Sequence, residues 1–362
     1  MADTLANVAP RVLIVGADWI GDSLRGCVRA AKLLGADVRV VPTNQPPQRG
    51  LQIRGLQERV YALPFVGGRL ARALQTIIRA SILEEVERRL EDALRMWRPA
   101  VLLALVDGWY DVFPHVMQAF PHVHKIAWMM DDPFFLSAPH TFDLAAFDRL
   151  LTVEASLVAP LRAATGRPVA NLPLAADHEV YRPLGEYNEH DESVAFIGKS
   201  YRNQPVGLAR GTILSRVASL GLEIWGDDGW KGLTCGGVDL TSVYKGGPIS
   251  SEEANLVYNR CAMAVCIHHP QIRCGTTLRS FAICAAGAFQ LLEDRPGLSD
   301  WLEPGREVVT FGCGEELAEC IRRYRVYPAE RRRVAAAGQA RVRGEHTYVH
   351  RMRHILKDFL SA

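Results

Sequence analysis

A strand-helix-strand alternation that runs its course twice limits this fold more than any single residue. RVLIVGA at 11–17 is a short apolar run ending in a Gly-Ala pair. DSLRGCVRAAKLLG at 22–35 follows with apolar residues at helical spacing and a glycine stop, and ADVRVVP at 36–42 is the next strand signal. Strands joined through helices in this way form parallel sheets with right-handed crossovers. Residues 43–68 are rich in Pro, Gly and Gln and read as loop, and an amphipathic helix is expected over about 70–97. Strands are expected at 99–108, 124–133, 149–154 and 167–175, with VMQAF on a helix. Residues 176–192 are polar, carry Pro and Gly, and read as a linker. From SVAFIGKS at 193–200 the alternation starts again, through a helix at 206–220, LEIWGDD, a helix near 251–260, CAMAVCIHH, a helix at 276–287, AFQLLED and REVVTF. The predicted fold class is α/β, with two doubly wound parallel-sheet domains at 1–175 and 193–345, and a last helix from about 346.

Length and charge agree with that reading. A chain of 362 residues has the size of two ordinary domains. The formal net charge of +2 demands no polyanionic partner, so nucleic acid is not expected. The eight cysteines form no CxxC and no zinc-like spacing. Asp3 and the polar start leave no apolar core for a secretory signal, and AVLLALV falls far short of the roughly 20 residues of a membrane span. The expectation is a soluble cytoplasmic protein with reduced thiols and no membrane span.

Ligands of open parallel sheets bind beyond the carboxyl ends of the strands, so the residues just past each strand carry the functional question. In FIGKSYR, Gly198 permits close backbone approach, and Lys199 and Arg202 are cations that can meet a diphosphate. In RCGTTLRSF, Gly275, Thr276 and Thr277 precede a helix whose first amides favour an anion, with Arg273 and Arg279 on either side. In WMMDDPFF, Asp131 and Asp132 stand side by side at a strand end. Two readings remain open there: a base that deprotonates an acceptor hydroxyl, or a cap for a helix begun by Pro133. GADWIGD lacks GxGxxG and is not followed by Lys-Ser or Lys-Thr, so neither a dinucleotide fingerprint nor a P-loop is present. His122 with His124, and His268 with His269, lack carboxylate or thiol partners at fitting spacing, so no metal site is expected. The basic run AERRRVAAAGQARVRG reads as a solvated helix face.

The last quarter of the chain reads in a specific order: TTLRSFAICAAGAFQLLED, then RPGL, GREVV, PAER and HTYVHR. With FIGKSYR and DDP, this order resembles the CgeB-like, spore-maturation type glycosyltransferases over about residues 125–355. The resemblance implies the GT-B architecture: two Rossmann-like domains facing a cleft, with the helix of 346–362 packing back on the first. It implies transfer of a sugar from a nucleotide-sugar donor to an acceptor hydroxyl. The nucleotide-sugar is a co-substrate, and no cofactor or metal is needed because basic side chains and helix amides stabilise the leaving diphosphate. Gly198, Lys199, Arg202, Arg273, Gly275, Thr276, Thr277 and Arg279 are the implied donor-binding residues. LEIWGDDGW and SVYKGGPIS resemble the family's base-cradling segments, which brings in Trp225 and Tyr244. Asp131 and Asp132 are the catalytic candidates, and Asp18 borders the acceptor.

The chain also departs from the family pattern. Retaining GT-B enzymes often carry a Glu-x7-Glu pair, and the second Glu binds the donor ribose. Here Cys274 and Ala282 occupy those positions. Glu293, just past the next strand, is a topological substitute, and a retaining outcome rests on the family alone. The missing pair also supports a different reading: a non-catalytic module that binds a glycan or a partner transferase. A sugar-nucleotide epimerase is a third.

Overall fold

The structure is a computed structural model that describes residues 9–17, 23–43, 67–106, 113–134, 144–185, 192–202 and 204–360. Asp18 lies outside the described residues. The chain divides into two units. One holds the residues up to Thr152, then Leu157–Asn171 and Met352–Ala362; the other holds Val153–Ser156 and Leu172–Arg351.

The first unit contains β1 (Arg11–Gly16), α1 (Ser23–Leu33), β2 (Asp37–Pro42), α2 (Gly67–Trp97), β3 (Val101–Val106), α3 (Pro114–Ala119), β4 (His124–Met129), β5 (Arg149–Thr152), α4 (Val158–Thr165) and β6 (Val169–Asn171). Its sheet has the order β2-β1-β3-β4-β5-β6, with every pairing parallel. Every residue of β3 is buried, as a parallel strand covered on both faces requires. β2 is the edge strand and reads differently: only Val41 is buried, and Arg39 lies 5.0 Å over the Trp97 ring. One face of the sheet packs Leu13, Leu102, Ala104 and Met129 against Leu90 and Leu94 of α2 and Met117 of α3. Each such apolar side chain, fully buried, contributes about 1.5–3 kcal/mol.

The second unit contains β7 (Val194–Ile197), α5 (Pro205–Ser215), β8 (Leu222–Trp225), β9 (Thr234–Cys235), β10 (Val238–Asp239), β11 (Tyr244–Gly246), α6 (Ser251–Arg260), β12 (Met263–Cys266), α7 (Leu278–Ala285), β13 (Gln290–Glu293), β14 (Val309–Phe311), α8 (Gly314–Arg325), α9 (Pro328–Glu345) and the start of α10 (Tyr348–Leu356). Its main sheet runs β11-β8-β7-β12-β13-β14, again all parallel. Alternate strand residues feed opposite layers. Phe196, Val265 and Leu291 join Trp230, Phe289 and Tyr324, while Ile197, Cys266 and Leu292 join Tyr258 and Phe281. A capping box starts α6, with Ser250 and Glu253 exchanging side-chain and backbone bonds.

Three sequence expectations change in detail. The small β9-β10 hairpin and β11 were not expected as strands; each has only two or three residues, too few for a periodic signal. The helix expected at 206–220 is the shorter α5: after Ser215 the chain goes on in tighter turns, with Arg216, Val217 and Leu220 bonding the carbonyls three residues back. The segment expected as a linker is bound to the second unit where it is described. Ala176 bridges Thr347, and the Asn255 and Asn259 side chains accept the amides of Arg182 and Leu184. Among the described residues, no helix is long and apolar enough to cross a membrane.

Candidate functional site

In the second unit, strands added in sequence run outward from β7 to β8 and β11, and then restart on the other side with β12, β13 and β14. The chain therefore reverses its direction of travel between β7 and β12, and ligands of such sheets bind at that point, beyond the strand ends. Gly198–Tyr201 follow β7, and Ile267–His269 follow β12.

Arg210 of α5 joins the two loops. Its guanidinium donates to the Lys199 carbonyl at 2.7 Å and to the Ile267 carbonyl at 3.3 Å. The side chain is buried, and its charge lies 5.5 Å over the Phe196 ring and 5.3 Å over the Tyr201 ring. Burial lowers its pKa from the ordinary arginine value, and the nearby Arg279 charge acts in the same direction. Sequence reading missed Arg210. The available signal was a cation among the small and apolar positions Val206, Gly207, Gly211 and Leu214 on the buried face of α5.

Gly198 and Gly226 end neighbouring strands in close contact. A Cβ on Gly226 would fall 2.1 Å from the Gly198 carbonyl oxygen. That same oxygen accepts the Trp230 indole N–H at 2.9 Å. The close approach expected of Gly198 is thus made to its own chain. Tyr201 has φ +48°, uncommon for a tyrosine, and its ring meets His269 edge-on at 5.1 Å. Burial, aided by Arg210, holds His269 at a pKa of about 4, so its imidazole is neutral near pH 7.

His268 ties the end of β12 to the start of α7. Its backbone amide donates to Glu293 Oε2 at 2.8 Å, and its Nε2 lies 3.3 Å from Thr276 Oγ1. Thr276 meets Ser280 Oγ at 2.5 Å, and Ser280 donates to the Thr277 carbonyl at 2.7 Å. Glu293 is buried, which alone would raise its pKa; bonds from His268 and the Arg295 charge outweigh burial and leave it lowered. Arg295 donates to Glu293 Oε1 at 2.9 Å.

Thr277 is the N-cap of α7, without a side-chain cap bond. The first-turn amides of a helix have no intrahelical acceptor and carry the positive end of its dipole. Gly275 reaches that turn at φ +86°, with Trp301 so close that a Cβ would lie 3.3 Å from its Nε1. The preceding loop is held by Glu154, also missed by sequence reading although it ends the RLLTVE run. Glu154 is buried and accepts the amides of Arg273 at 2.7 Å, Cys274 at 3.1 Å and Ser156 at 3.0 Å. Behind Trp301, buried Arg351 stacks on Phe281 and Trp301 and donates to the Pro173 carbonyl at 2.8 Å. His346 bonds the Trp301 carbonyl at 2.9 Å, and burial beside Arg351 holds its pKa at about 3.

The sequence-predicted residues therefore separate into groups. Gly198, Lys199, Gly275, Thr276, Thr277, Arg279 and Glu293 belong to the segments that close on the reversal point. Arg279 donates to the Tyr258 hydroxyl at 3.1 Å, and Lys199 is exposed. Arg202 is turned elsewhere, donating to the Lys231 and Gly232 carbonyls at 2.8 and 3.1 Å. Arg273 donates through Nε to Ser156 Oγ at 3.1 Å. Trp225 packs in the core layer with Tyr258 and Phe281, and its buried Nε1 has no hydrogen-bond partner among the described residues. Tyr244 donates its hydroxyl toward Asp228 Oδ1 at 3.0 Å. In the first unit, Asp132 is buried and its Oδ1 accepts the Phe134 amide at 2.8 Å, closing a turn around Pro133; Asp131 is half-buried. Among the described residues, no three His, Cys, Asp or Glu side chains cluster as a metal site.

The chain is similar to known proteins in sequence over part of its length and in fold. A family model described as "Glycosyl transferase-like" matches residues 210–357, which run from Arg210 through α10. No curated protein matches the chain. Among solved structures, a sucrose-phosphate synthase from Thermosynechococcus elongatus is 12% identical with a TM-score of 0.62, covering 96% of this chain and 98% of its own. A glycosyltransferase from Rickettsia africae is 10% identical with a TM-score of 0.64, covering 97% of each chain. Anabaena Alr3699/HepE, determined in complex with UDP-glucose, is 11% identical with a TM-score of 0.60, covering 96% and 100%. These likenesses establish the fold: two six-stranded parallel α/β units of the GT-B class.

Proposed function

We propose that this protein is a glycosyltransferase that moves a sugar from a nucleotide-sugar to an acceptor hydroxyl. The observation that carries the proposal is the reversal point between β7 and β12, where buried Arg210 binds both strand-end loops and the α7 helix start adjoins. A diphosphate there would meet Arg279, Lys199 and the first-turn amides of α7. Those groups carry charge of the sign needed to stabilise a leaving diphosphate, so the reaction needs no metal. The donor segment as a whole would include Gly198, Arg202, Arg273, Gly275, Thr276 and Thr277, with Trp225 and Tyr244 on the base side.

Asp131 or Asp132 would serve the acceptor hydroxyl as base, with Asp18 on the acceptor side. Glu293 would act on the donor indirectly, by fixing the His268 loop. A retaining outcome is kept on the family resemblance alone, as is membership among the CgeB-like enzymes. The eight cysteines are free thiols, which supports a reducing compartment such as the cytoplasm.

One observation favours a different reading. Ala282 is buried within α7, and the Cys274 amide is bound to Glu154, so neither Glu-x7-Glu position offers a carboxylate. A non-catalytic module that binds a glycan or a partner transferase is the second reading.

Calorimetric titration with a panel of nucleoside diphosphates separates the two. The transferase reading expects one to bind, and to bind at least tenfold more weakly to Arg279→Ala. A folded parent that binds none of them sinks the transferase reading and leaves the module.

A further inference from the structure

The second unit contains a cavity of about 180 Å³ at the amino ends of its strands. The donor candidate lies beyond the carboxyl ends of the strands. This cavity is lined by Ala286 and Gly287, past the end of α7, and by Phe289, just before β13 begins. Tyr258, Pro183 and Phe289 give it apolar walls, and Arg331 of α9 gives it a charge.

Arg331 makes this cavity more than a packing defect. The residue is 4% exposed. Its Nη1 donates to the Tyr324 and Arg325 carbonyls at the end of α8, at 2.5 and 3.1 Å. Its Nε is buried and has no hydrogen-bond partner among the described residues. No carboxylate pairs with it among those residues either. A buried guanidinium with an unfilled donor is costly unless an anion completes it. The polar groups around it do not supply one. The Asn259 side chain is spent on the Arg182 and Leu184 backbone, and Gln339 donates to the Ala285 carbonyl at 3.3 Å.

We infer that this cavity is a second ligand site, which takes a small oxyanion carrying one ring. The oxyanion would meet the Arg331 guanidinium through Nη2, which makes no hydrogen bond among the described residues, and the ring would lie against Tyr258, Phe289 and Pro183. Size sets the ring count, because a cavity of about 150 Å³ holds one benzene. The site is also wired to the donor candidate. Tyr258 lines the cavity, and its hydroxyl accepts from Arg279 at 3.1 Å. A ligand that moves the Tyr258 ring moves the group that fixes Arg279, so the two affinities are linked and the linkage is reciprocal. The linkage rests on the donor reading above; the cavity's own binding does not.

The test is titration of the full chain with phenyl phosphate, benzoate and inorganic phosphate, without nucleotide. Phenyl phosphate or benzoate should bind at least tenfold more tightly than inorganic phosphate, and whichever is tighter assigns a phosphate monoester or a carboxylate. Arg331→Met and Ala336→Trp should each weaken that binding at least tenfold. Ala336 is an exposed position of α9 on the cavity lining, so its variant keeps the test valid if Arg331→Met does not fold. The site is overturned if no ringed probe binds the parent, or if Ala336→Trp binds as the parent does. A saturating probe should then change nucleoside diphosphate affinity at least threefold, and Tyr258→Phe should abolish that change. An unchanged affinity overturns the linkage. If no nucleotide binds at all, the linkage falls with the donor reading, while probe binding still decides the site.

Discussion

Gly16 ends β1 in the first unit and Gly226 follows β8 in the second, and the surroundings of the two glycines are built differently. A Cβ on Gly16 would meet the Leu105 side chain at 2.9 Å. A Cβ on Gly226, next to Gly198, would meet the Gly198 carbonyl itself at 2.1 Å. The Leu105 Cβ is fixed to its own backbone, so both contacts ask backbone to shift, but a 2.9 Å contact is relieved by a far smaller shift than a 2.1 Å contact with a carbonyl held by the Trp230 indole. The described strand ends of the first unit are shaped mainly by apolar packing. Those of the second are shaped by backbone against backbone, with buried polar groups between. The same layered sheet serves both, but only the second spends Arg210, His268 and Glu293 on fixing its loops. Such preorganisation is what a binding site needs and a core does not.

The comparison is broken most severely at Gly226. Gly226→Ala should cost more than about 3 kcal/mol, or prevent folding, because backbone must shift to admit the methyl group. Gly16→Ala should cost less, about 1–2 kcal/mol, because a small shift relieves its 2.9 Å contact with the Leu105 Cβ. Denaturant unfolding of both variants measures the difference, and equal losses would erase the contrast drawn here.

Arg210→Met comes next. It removes the donor from the Lys199 and Ile267 carbonyls, and each buried acceptor left unsatisfied costs about 1–3 kcal/mol. The melting temperature should fall, and affinity for the nucleoside diphosphate should fall at least tenfold. A large loss of stability with affinity intact would confine Arg210 to structure. Glu154→Gln is milder. The Gln oxygen still accepts the Arg273 and Cys274 amides without the charge that strengthens those bonds, while its NH2 can no longer accept the Ser156 amide, a loss of about 1–3 kcal/mol. Isotope exchange at the Arg273 and Cys274 amides should accelerate before global unfolding does.

Much of the architecture was legible because parallel strands buried on both faces are continuous apolar runs. LLALV and VLIV can be read as strands from composition alone, and every long strand expected has a counterpart in β1–β8 and β12–β14. The candidate site was legible only where its residues follow such strands, as Gly198, Lys199 and Glu293 do, or open a helix, as Thr277 does. Arg210 was not, because a lone arginine on a helix face looks the same whether it is solvated or buried; two carbonyls distant in sequence decide it. Glu154 was hidden for a similar reason, since its partners lie 119 and 120 residues away. Arg202 shows the reverse case. Its position after β7 suggested phosphate, while its hydrogen bonds go to the 231–232 turn.

Acid should sharpen the contrast in a further way. His346 has a folded pKa of about 3 against an ordinary 6.5, lowered by burial and then by Arg351. A depressed folded pKa means that the unfolded chain takes up the proton first. The stability that the neutral imidazole contributes is therefore present above pH 6.5 and is lost as pH falls toward 3. The slope approaches about 1.4 kcal/mol per pH unit for this one group. Fluorescence of Trp301, whose carbonyl His346 holds, should report that loss. A His346→Gln variant should flatten the decline; an unchanged decline would place the acid sensitivity elsewhere.

The smallest effect expected is at Arg202, and it is informative because it is small. The side chain is exposed, so its two bonds to the Lys231 and Gly232 carbonyls compete with water and are worth less than about 1 kcal/mol. If those bonds are its whole role, Arg202→Ala should leave nucleoside diphosphate affinity within twofold of the parent, while Lys199→Ala, whose ammonium is exposed beside the reversal point, lowers it several-fold. If Arg202→Ala instead matches Lys199→Ala, the guanidinium leaves its turn when ligand arrives. The strand-end loop of the second unit would then be less fixed than Arg210, Trp230 and the Gly198–Gly226 contact make it.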